Sequence, residues 1–202
     1  MKESLHLFLS FFLLSACVGG KTHLVNDTPI YSEAGFLQAV VEIPAGTTAK
    51  YEVDKSSGAM TWTEENGKPR EVNYLGYPGN YGFIPQTLSP KDQGGDGDPL
   101  DVIVLGAAVE RGSLIQIRIV GVLKLKDRGE QDDKLLAVPL GGAFEKVETI
   151  EQLQTDFPGA MEIITIWFEN YKGPGMMRLE EIGGTDLSNQ ILAEAIEAFK
   201  EK

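Results

Sequence analysis

The 202-residue sequence has few of the residues on which several common kinds of site depend. It contains one cysteine, Cys17, and two histidines, His6 and His23. A lone cysteine cannot form an internal disulfide bond, and so few histidines disfavour a histidine-based triad or a zinc site. The formal net charge of −12 argues against general nucleic-acid binding, because an acidic surface repels the phosphate backbone. The sequence also lacks a Walker-type phosphate-binding loop.

Apolar runs long enough to span a membrane are absent too. The longest apolar run covers residues 5–16, at the N-terminus. It is too short to span a bilayer as a helix and is typical of a signal-peptide core. The run ends in Leu14-Ser15-Ala16-Cys17, which resembles a bacterial lipobox, where cleavage precedes a lipid-bearing cysteine. The alternative is a buried core cysteine after an N-terminal helix.

The lipobox interpretation predicts a signal peptide over residues 1–16 and a lipidated Cys17. Residues 17–35 would then comprise this cysteine and a polar tether, and residues 36–202 would form the globular domain. We therefore expect an exported protein, anchored by lipid to a cell membrane on its periplasmic or outer-membrane side.

Short runs of β-branched and apolar residues predict strands in the first two thirds of the domain. The predicted strands cover residues 36–43, 50–53, 59–63, 100–105, 115–125 and 135–140. Apolar residues then recur at helical spacing over 160–172 and 187–199, with Thr185 or Asp186 as the second helix's N-cap. Strands followed by helices predict an α+β domain, a barrel or curled sheet with helices packed outside.

Three carboxylates, Asp96, Asp98 and Asp101, precede an apolar run within six residues of one another. On an extended backbone Asp96 and Asp98 share a face, and such close anions repel each other unless cations neutralise them. Oxygen-only ligands favour Mg²⁺, Mn²⁺ or Ca²⁺. A solvated acidic turn is the alternative. An EF-hand loop starting at Asp96 does not fit, because its sixth position is Asp101 instead of glycine.

An aromatic, turn-rich strip covers residues 77–87, and it predicts either a hairpin with core tyrosines or tyrosine hydroxyls that donate to an anion. Three segments resemble, in the same order, blocks of the family I soluble inorganic pyrophosphatases of bacterial type. They are Lys-Tyr-Glu-Val-Asp-Lys at 50–55, this strip, and Asp-Gly-Asp-Pro-Leu-Asp at 96–101. The resemblance covers residue 36 to the C-terminus. It implies a five-stranded OB-like β-barrel with C-terminal helices packed outside.

The resemblance also implies a function, the hydrolysis of pyrophosphate to two orthophosphates with several Mg²⁺ ions, or Mn²⁺ in their place. Asp98 would be the general base, and Lys50, Arg70 and Tyr81 would also be catalytic. The side chains implied to contact phosphate are Lys50, Arg70, Tyr81, Lys134, Tyr171 and Lys172. The implied metal ligands are Asp96, Asp101, Asp127, Asp132 and Glu42. Glu52 and Tyr77 would orient the substrate-binding side chains from behind.

Departures from the family pattern leave some alternatives open. The segment between Met60 and Tyr77 is longer than in compact bacterial members, so Lys68 is the alternative to Arg70. Ile166 and Asn170 stand where hexameric members carry histidines at a subunit contact, so a homo-oligomer stays an open expectation. A catalytically inactive lipoprotein that binds metal or phosphate is the second functional hypothesis. Oligonucleotide binding by an OB-type barrel is disfavoured by the net charge.

Overall fold

The computed structural model describes residues 22–202, apart from the side chain of Gln93. The predicted signal peptide and Cys17 lie outside the described residues. The strands are β1 (Gln38–Ile43), β2 (Tyr51–Val53), β3 (Met60–Trp62), β4 (Glu64–Glu65), β5 (Lys68–Pro69), β6 (Asn80–Phe83), β7 (Asp101–Val104), β8 (Leu114–Asp127), β9 (Glu130–Gln131), β10 (Lys134–Pro139) and β11 (Met177–Gly183). The α-helices are α1 (Ile150–Asp156), α2 (Ala160–Asn170) and α3 (Thr185–Lys200).

Five of the strands close into a ring of hydrogen-bonded pairs. Around the ring, β1 pairs with β6, β6 with β7, β7 with β10 and β10 with β8, and β8 returns to β1. The β7–β10 pair is parallel and the others are antiparallel. Beyond the ring, β8 continues to pair with β9 and β11. The predicted mixed α+β domain is thereby confirmed, with a ring of five strands.

In the ring, β7 and β10 are buried on both faces, which explains their almost continuous apolar sequences, whereas β8 is exposed at its first residues. In β7, Val102 and Val104 belong to the cluster that contains Leu192 and Ala195 of α3. Ile103, between the two valines, belongs to the cluster that contains the buried residues of α1 and α2. Helices thus cover opposite faces of the same strands.

The sequence did not predict helix α1, strand β11 or the two-residue strands β4, β5 and β9. Helix α1 has seven residues and only two buried positions, Ile150 and Leu153, so its apolar period is too short to detect. The sequence feature that marks the start of α1 is its N-cap, Thr149. The Thr149 hydroxyl accepts a hydrogen bond from the Gln152 backbone N–H at 3.2 Å. Strand β11 is buried only at its first and last residues, Met177 and Gly183, and carries charged side chains between them.

The predicted N-cap of the last helix is wrong. The N-cap of α3 is Gly184, which has an extended backbone and no side chain to accept a hydrogen bond. Thr185 and Asp186 are already in the first helical turn. Asp186 still carries negative charge where the helix dipole favours it.

Residues 22–35, which we call the N-terminal strap, pack against the domain instead of forming the predicted tether. Val25 is buried in a cluster with Val40, Val53 and Phe83, and its carbonyl accepts from the Gln86 backbone N–H at 2.9 Å. A single buried valine leaves no apolar period in the sequence, so the packing could not be predicted.

Among the described residues, no helix has the length and apolar character needed to cross a membrane.

Gly82, in the middle of β6, tests the packing of the ring. A β-carbon there would lie 1.8 Å from the Val40 carbonyl oxygen of β1. We therefore expect Gly82→Ala to lower the free energy of unfolding by about 3 kcal/mol or more, measured by urea denaturation. Gly184→Ala is the matched control, because its φ is −76° and no heavy atom lies within 4 Å of the added carbon. Equal stability of the two variants would contradict the close approach of β1 and β6.

Candidate active site

The ends of several strands open onto one cleft of about 260 Å³. Its lining residues are Glu42, Lys50, Glu52, Val53, Lys55, Arg70, Tyr81, Phe83, Asp96, Asp98, Pro99, Asp101, Asp127, Asp132, Lys134, Tyr171 and Lys172. The structure therefore brings together the residues that the sequence singled out, except Tyr77, which lies behind the cleft.

Strand ends supply most of these side chains. Glu42 lies near the end of β1, Asp101 begins β7, Asp127 ends β8 and Lys134 begins β10. Tyr171 and Lys172 directly follow α2. Because the ring holds these ends side by side, carboxylates and cations that are far apart in sequence share one cavity.

The acidic turn before β7 is not extended, which corrects the basis for placing Asp96 and Asp98 on one face. Gly97 has a φ of +81°, and the Asp98 backbone N–H donates to Asp96 Oδ1 at 2.8 Å. The turn is fixed to the core because the Leu100 N–H donates to the buried Thr87 hydroxyl at 2.9 Å. Both carboxylates still reach the cleft, through a tight turn that only glycine allows at low cost.

Lys134 is the central cation of the cleft. Its side chain is only 3% exposed, and its ammonium group donates to both Asp101 and Asp132. Burial alone would lower the pKa of Lys134, but the two carboxylates outweigh it and raise the pKa above its usual value. Burial likewise opposes ionisation of Asp132, yet Lys134 and Lys172 hold its pKa below the usual range. Lys134 and Asp132 are therefore both charged at neutral pH.

Lys172 forms a second cationic position beside the first. Its ammonium group lies 2.6 Å from Asp127 Oδ2 and 4.0 Å from Asp132 Oδ2. The other oxygen of Asp127, Oδ1, is buried and has no hydrogen-bond partner among the described residues. A buried carboxylate oxygen without a partner is costly, so this oxygen is suited to a cation or a donor from outside the chain.

Lys50 and Glu52 form another ion pair in the cleft, with Lys50 Nζ 3.1 Å from Glu52 Oε1. Behind them, the buried Glu42 accepts from the Val53 backbone N–H at 2.7 Å. Loss of hydration raises the pKa of Glu42 to about 8, so without a further cation this carboxyl is largely protonated at pH 7.

The cleft tyrosines keep their protons. Burial raises the pKa values of Tyr81, Tyr171 and Tyr77 above the usual value for the phenol. Tyr171 stacks on Trp167 with ring centroids 4.4 Å apart, and Tyr77 lies 4.4 Å from the same indole. Tyr81 and Tyr171 thus present neutral hydroxyl groups, which can donate hydrogen bonds to an anion.

Lys55 is a cleft residue that the sequence reasoning did not assign. Its ammonium group pairs with Asp98 Oδ1. The sequence feature that could have identified Lys55 is its position as the last residue of the Lys-Tyr-Glu-Val-Asp-Lys block. Its contact with Asp98 is visible only in the folded structure.

The cleft has more carboxylic than cationic side chains, and the excess is suited to added cations. Seven carboxylic residues, Glu42, Glu52, Asp96, Asp98, Asp101, Asp127 and Asp132, face five cationic ones, Lys50, Lys55, Arg70, Lys134 and Lys172. Over residues 22–202, no three His, Cys, Asp or Glu side chains are gathered as a preformed metal cluster. Lys134 lies between two of the predicted ligands instead. The all-oxygen donor set and the unpartnered Asp127 Oδ1 nevertheless fit Mg²⁺ or Mn²⁺.

Arg70 lines the cleft, whereas Lys68 is exposed on β5 and does not. The Arg70 carbonyl accepts from the Lys50 N–H at 3.0 Å and from the Trp62 indole at 2.9 Å, which fixes the backbone at this point. The structure therefore favours Arg70 over Lys68 as the cleft cation.

Because the family resemblance implies pyrophosphate as the substrate, we expect Arg70→Ala to lower kcat/KM for it by about 10²-fold, since a guanidinium in the cleft lining would stabilise developing phosphoryl charge. Lys68→Ala should stay within about twofold of wild type, since exposed charges contribute little. Steady-state phosphate release measures both. The reverse ranking would show that the placement of Arg70 is wrong.

Comparison with known proteins agrees with this geometry. A family model described as inorganic pyrophosphatase matches residues 39–200. The inorganic pyrophosphatase of Xylella fastidiosa strain 9a5c is 37% identical over 170 residues, which cover 82% of this chain and 90% of that protein.

Solved structures give the same result. The inorganic pyrophosphatase of Helicobacter pylori has a TM-score of 0.72 at 31% identity, covering 86% of this chain and 98% of that chain. The enzyme of Schistosoma japonicum has a TM-score of 0.80 at 26% identity, covering 87% and 70% of the two chains.

Proposed function

Because the chain belongs to the inorganic pyrophosphatase family, we propose that it hydrolyses inorganic pyrophosphate to two orthophosphates in the cleft around Lys134. The observation that carries the proposal is the combination of seven carboxylic and five cationic side chains with two tyrosines in one cavity of about 260 Å³. A small polyanion such as pyrophosphate fits both the volume and the donors.

Asp98 is the general base in this proposal. Its Oδ1 is engaged by Lys55, which leaves Oδ2 outside that ion pair to accept a proton from the attacking water. The hydrogen bond from its own N–H to Asp96 limits the motion of the turn that carries it.

The cationic side chains bind and orient the phosphoryl groups. Lys50, Arg70, Lys134 and Lys172 all line the cleft. Tyr81 and Tyr171 add neutral donors. Fixed donors of this kind stabilise the charge that gathers on the phosphoryl oxygens as the bridging bond breaks.

We propose Mg²⁺, with Mn²⁺ as a substitute, as the cofactor. The residues suited to hold it are Asp96, Asp101, Asp127, Asp132 and Glu42. When bound, the metal neutralises the polyanion and lowers the pKa of water at the site. On the protein side, Lys134 must yield part of its contact with Asp101 and Asp132, and Glu42 must lose its proton.

An inactive protein that only binds metal or phosphate is the competing hypothesis. Loss of activity usually removes one or more of the reacting side chains, whereas this cleft retains a base, cations and tyrosine donors together. ³¹P NMR of pyrophosphate mixed with an equimolar amount of protein and Mg²⁺ separates the two. Conversion to the orthophosphate signal supports the enzyme, and a persistent, broadened pyrophosphate signal supports mere binding.

We propose further that the protein acts outside the cytoplasm, attached through lipid on Cys17. The support is the lipobox-like sequence after a short apolar run. We expect Cys17→Ser to leave an unprocessed precursor that incorporates no labelled fatty acid. A separate protein that comprises residues 18–202 should have the same specific activity as the lipidated wild type. Labelled palmitate and mass spectrometry of the N-terminus measure this. A wild-type protein that retains residues 1–16 and fractionates with cytosol would overturn the location.

A further inference from the structure

Lys55 contacts the proposed general base but is not held by burial. Its side chain is 52% exposed, and its Nζ pairs with Asp98 Oδ1. A long, half-exposed lysine side chain samples many rotamers, so its usefulness at Asp98 depends on where its backbone is fixed.

The backbone of Lys55 lies in a closed turn over residues 54–58. The Asp54 carboxylate accepts from the hydroxyl groups of Ser56 and Ser57 at 2.7 Å and from the Ser57 N–H at 2.8 Å. The Gly58 N–H donates to the Asp54 carbonyl at 2.7 Å. These bonds set the shape of the turn, but they do not fix the turn to the domain.

The N-terminal strap holds this turn from outside. The Leu24 N–H donates to the Gly58 carbonyl at 3.1 Å, and His23 Nε2 lies 3.2 Å from the Lys55 carbonyl oxygen. The imidazole packs so closely that a β-carbon on Gly58 would lie 2.3 Å from its Cγ. Val25, one residue further, is buried in the domain and anchors the strap.

We propose that Lys55 is a positioning residue for Asp98, and that the strap sets the position of Lys55 through His23 and Leu24. The strap precedes residue 39, where the family match begins, so this support belongs to a segment outside the matched region. The inference rests on the proposed function, in which Asp98 removes a proton from water. It makes His23 and Leu24 an outside support for the turn that carries Lys55, a residue of the cleft lining.

The first test separates positioning from folding. We expect Lys55→Ala to lower kcat about tenfold with KM and melting temperature almost unchanged, because misplacement of a reacting group affects turnover most. An exposed ion pair contributes little to stability. Lys55→Arg should restore most of the activity, and Lys68→Ala is the matched control. A raised KM at unchanged kcat would overturn the proposal by placing Lys55 on the substrate instead.

A double-mutant cycle tests whether Lys55 acts through Asp98. In an Asp98→Asn background, Lys55→Ala should cause no further loss of kcat, because coupled residues are not additive. A second cycle pairs His23 with Lys55. His23→Ala should lower kcat about threefold in the wild-type background and should have no effect in a Lys55→Ala background, because His23 acts through Lys55. Glu33→Ala, on an exposed part of the strap, is its control. Additive losses in either cycle would overturn the proposed coupling.

Amide hydrogen exchange provides a readout that does not need activity. We expect faster exchange over residues 54–58 in His23→Ala and over residues 96–98 in Lys55→Ala. If wild type releases no phosphate, the proposed function fails, and these exchange rates still decide whether the strap, turn and Asp98 are coupled. Unchanged exchange in both variants would overturn the inference.

Discussion

Replacing Asp98 with asparagine is expected to lower kcat for pyrophosphate hydrolysis by about 10²–10⁴-fold, the usual contribution of a general base. The amide keeps the shape of the carboxylate but cannot accept the proton from water. The turn itself should survive, because its hydrogen bond uses the Asp98 backbone N–H and the Asp96 carboxylate. The melting temperature should therefore stay close to that of wild type.

The matched control is Asp92→Asn, an exposed aspartate in the same loop that does not line the cleft. Stopped-flow and steady-state phosphate release would measure both variants. If Asp98→Asn turned over at a rate near wild type, Asp98 would have no part in the proton transfer.

Lys134→Met is expected to destabilise the protein by roughly 3 kcal/mol in EDTA, because removing one partner leaves the Asp101 and Asp132 carboxylates facing each other. Millimolar Mg²⁺ should restore part of this loss, since a cation that binds only the folded state stabilises it by mass action. Urea denaturation with and without Mg²⁺ measures the effect.

Lys126→Met is the control, because Lys126 is paired with Glu180 at 3.7 Å on the surface, and such pairs contribute about 0–1 kcal/mol. The pH dependence gives a further check. The pKa of Asp132 is lowered in the folded state, so its stabilisation is present above about pH 4, the usual aspartate value, and is lost as the pH falls through the folded pKa. Equal losses in the two lysine variants would contradict the central place of Lys134.

The parts of the fold that the sequence predicted are those with a strong local period. The apolar runs of β7 and β10 are buried on both faces, and α2 and α3 have long amphipathic stripes. The undetected elements lack such a signal, because α1 buries two residues and β11 buries only its ends. The closure of the ring depends on the pairing of β1 with β8, which are about 70 residues apart and carry no local mark of it.

The candidate site divides in the same way. Its membership follows mainly from the family resemblance, and only the three aspartates at 96–101 are marked by residue chemistry alone. Its contacts follow from neither, since Lys134 between Asp101 and Asp132, and Lys55 on Asp98, arise from tertiary geometry. Packing of the strap likewise depends on tertiary geometry, because Val25, Leu24 and Ile30 contact clusters formed by distant strands.

The measurement that tests the central claim most directly is phosphate release from pyrophosphate by residues 18–202, with Mg²⁺ and with EDTA. We predict two phosphates for each pyrophosphate consumed in Mg²⁺, almost none in EDTA, and a strong loss in Asp98→Asn under the same conditions. Failure of folded wild-type protein to release phosphate at any Mg²⁺ or Mn²⁺ concentration would contradict the proposal that this cleft is a pyrophosphatase active site.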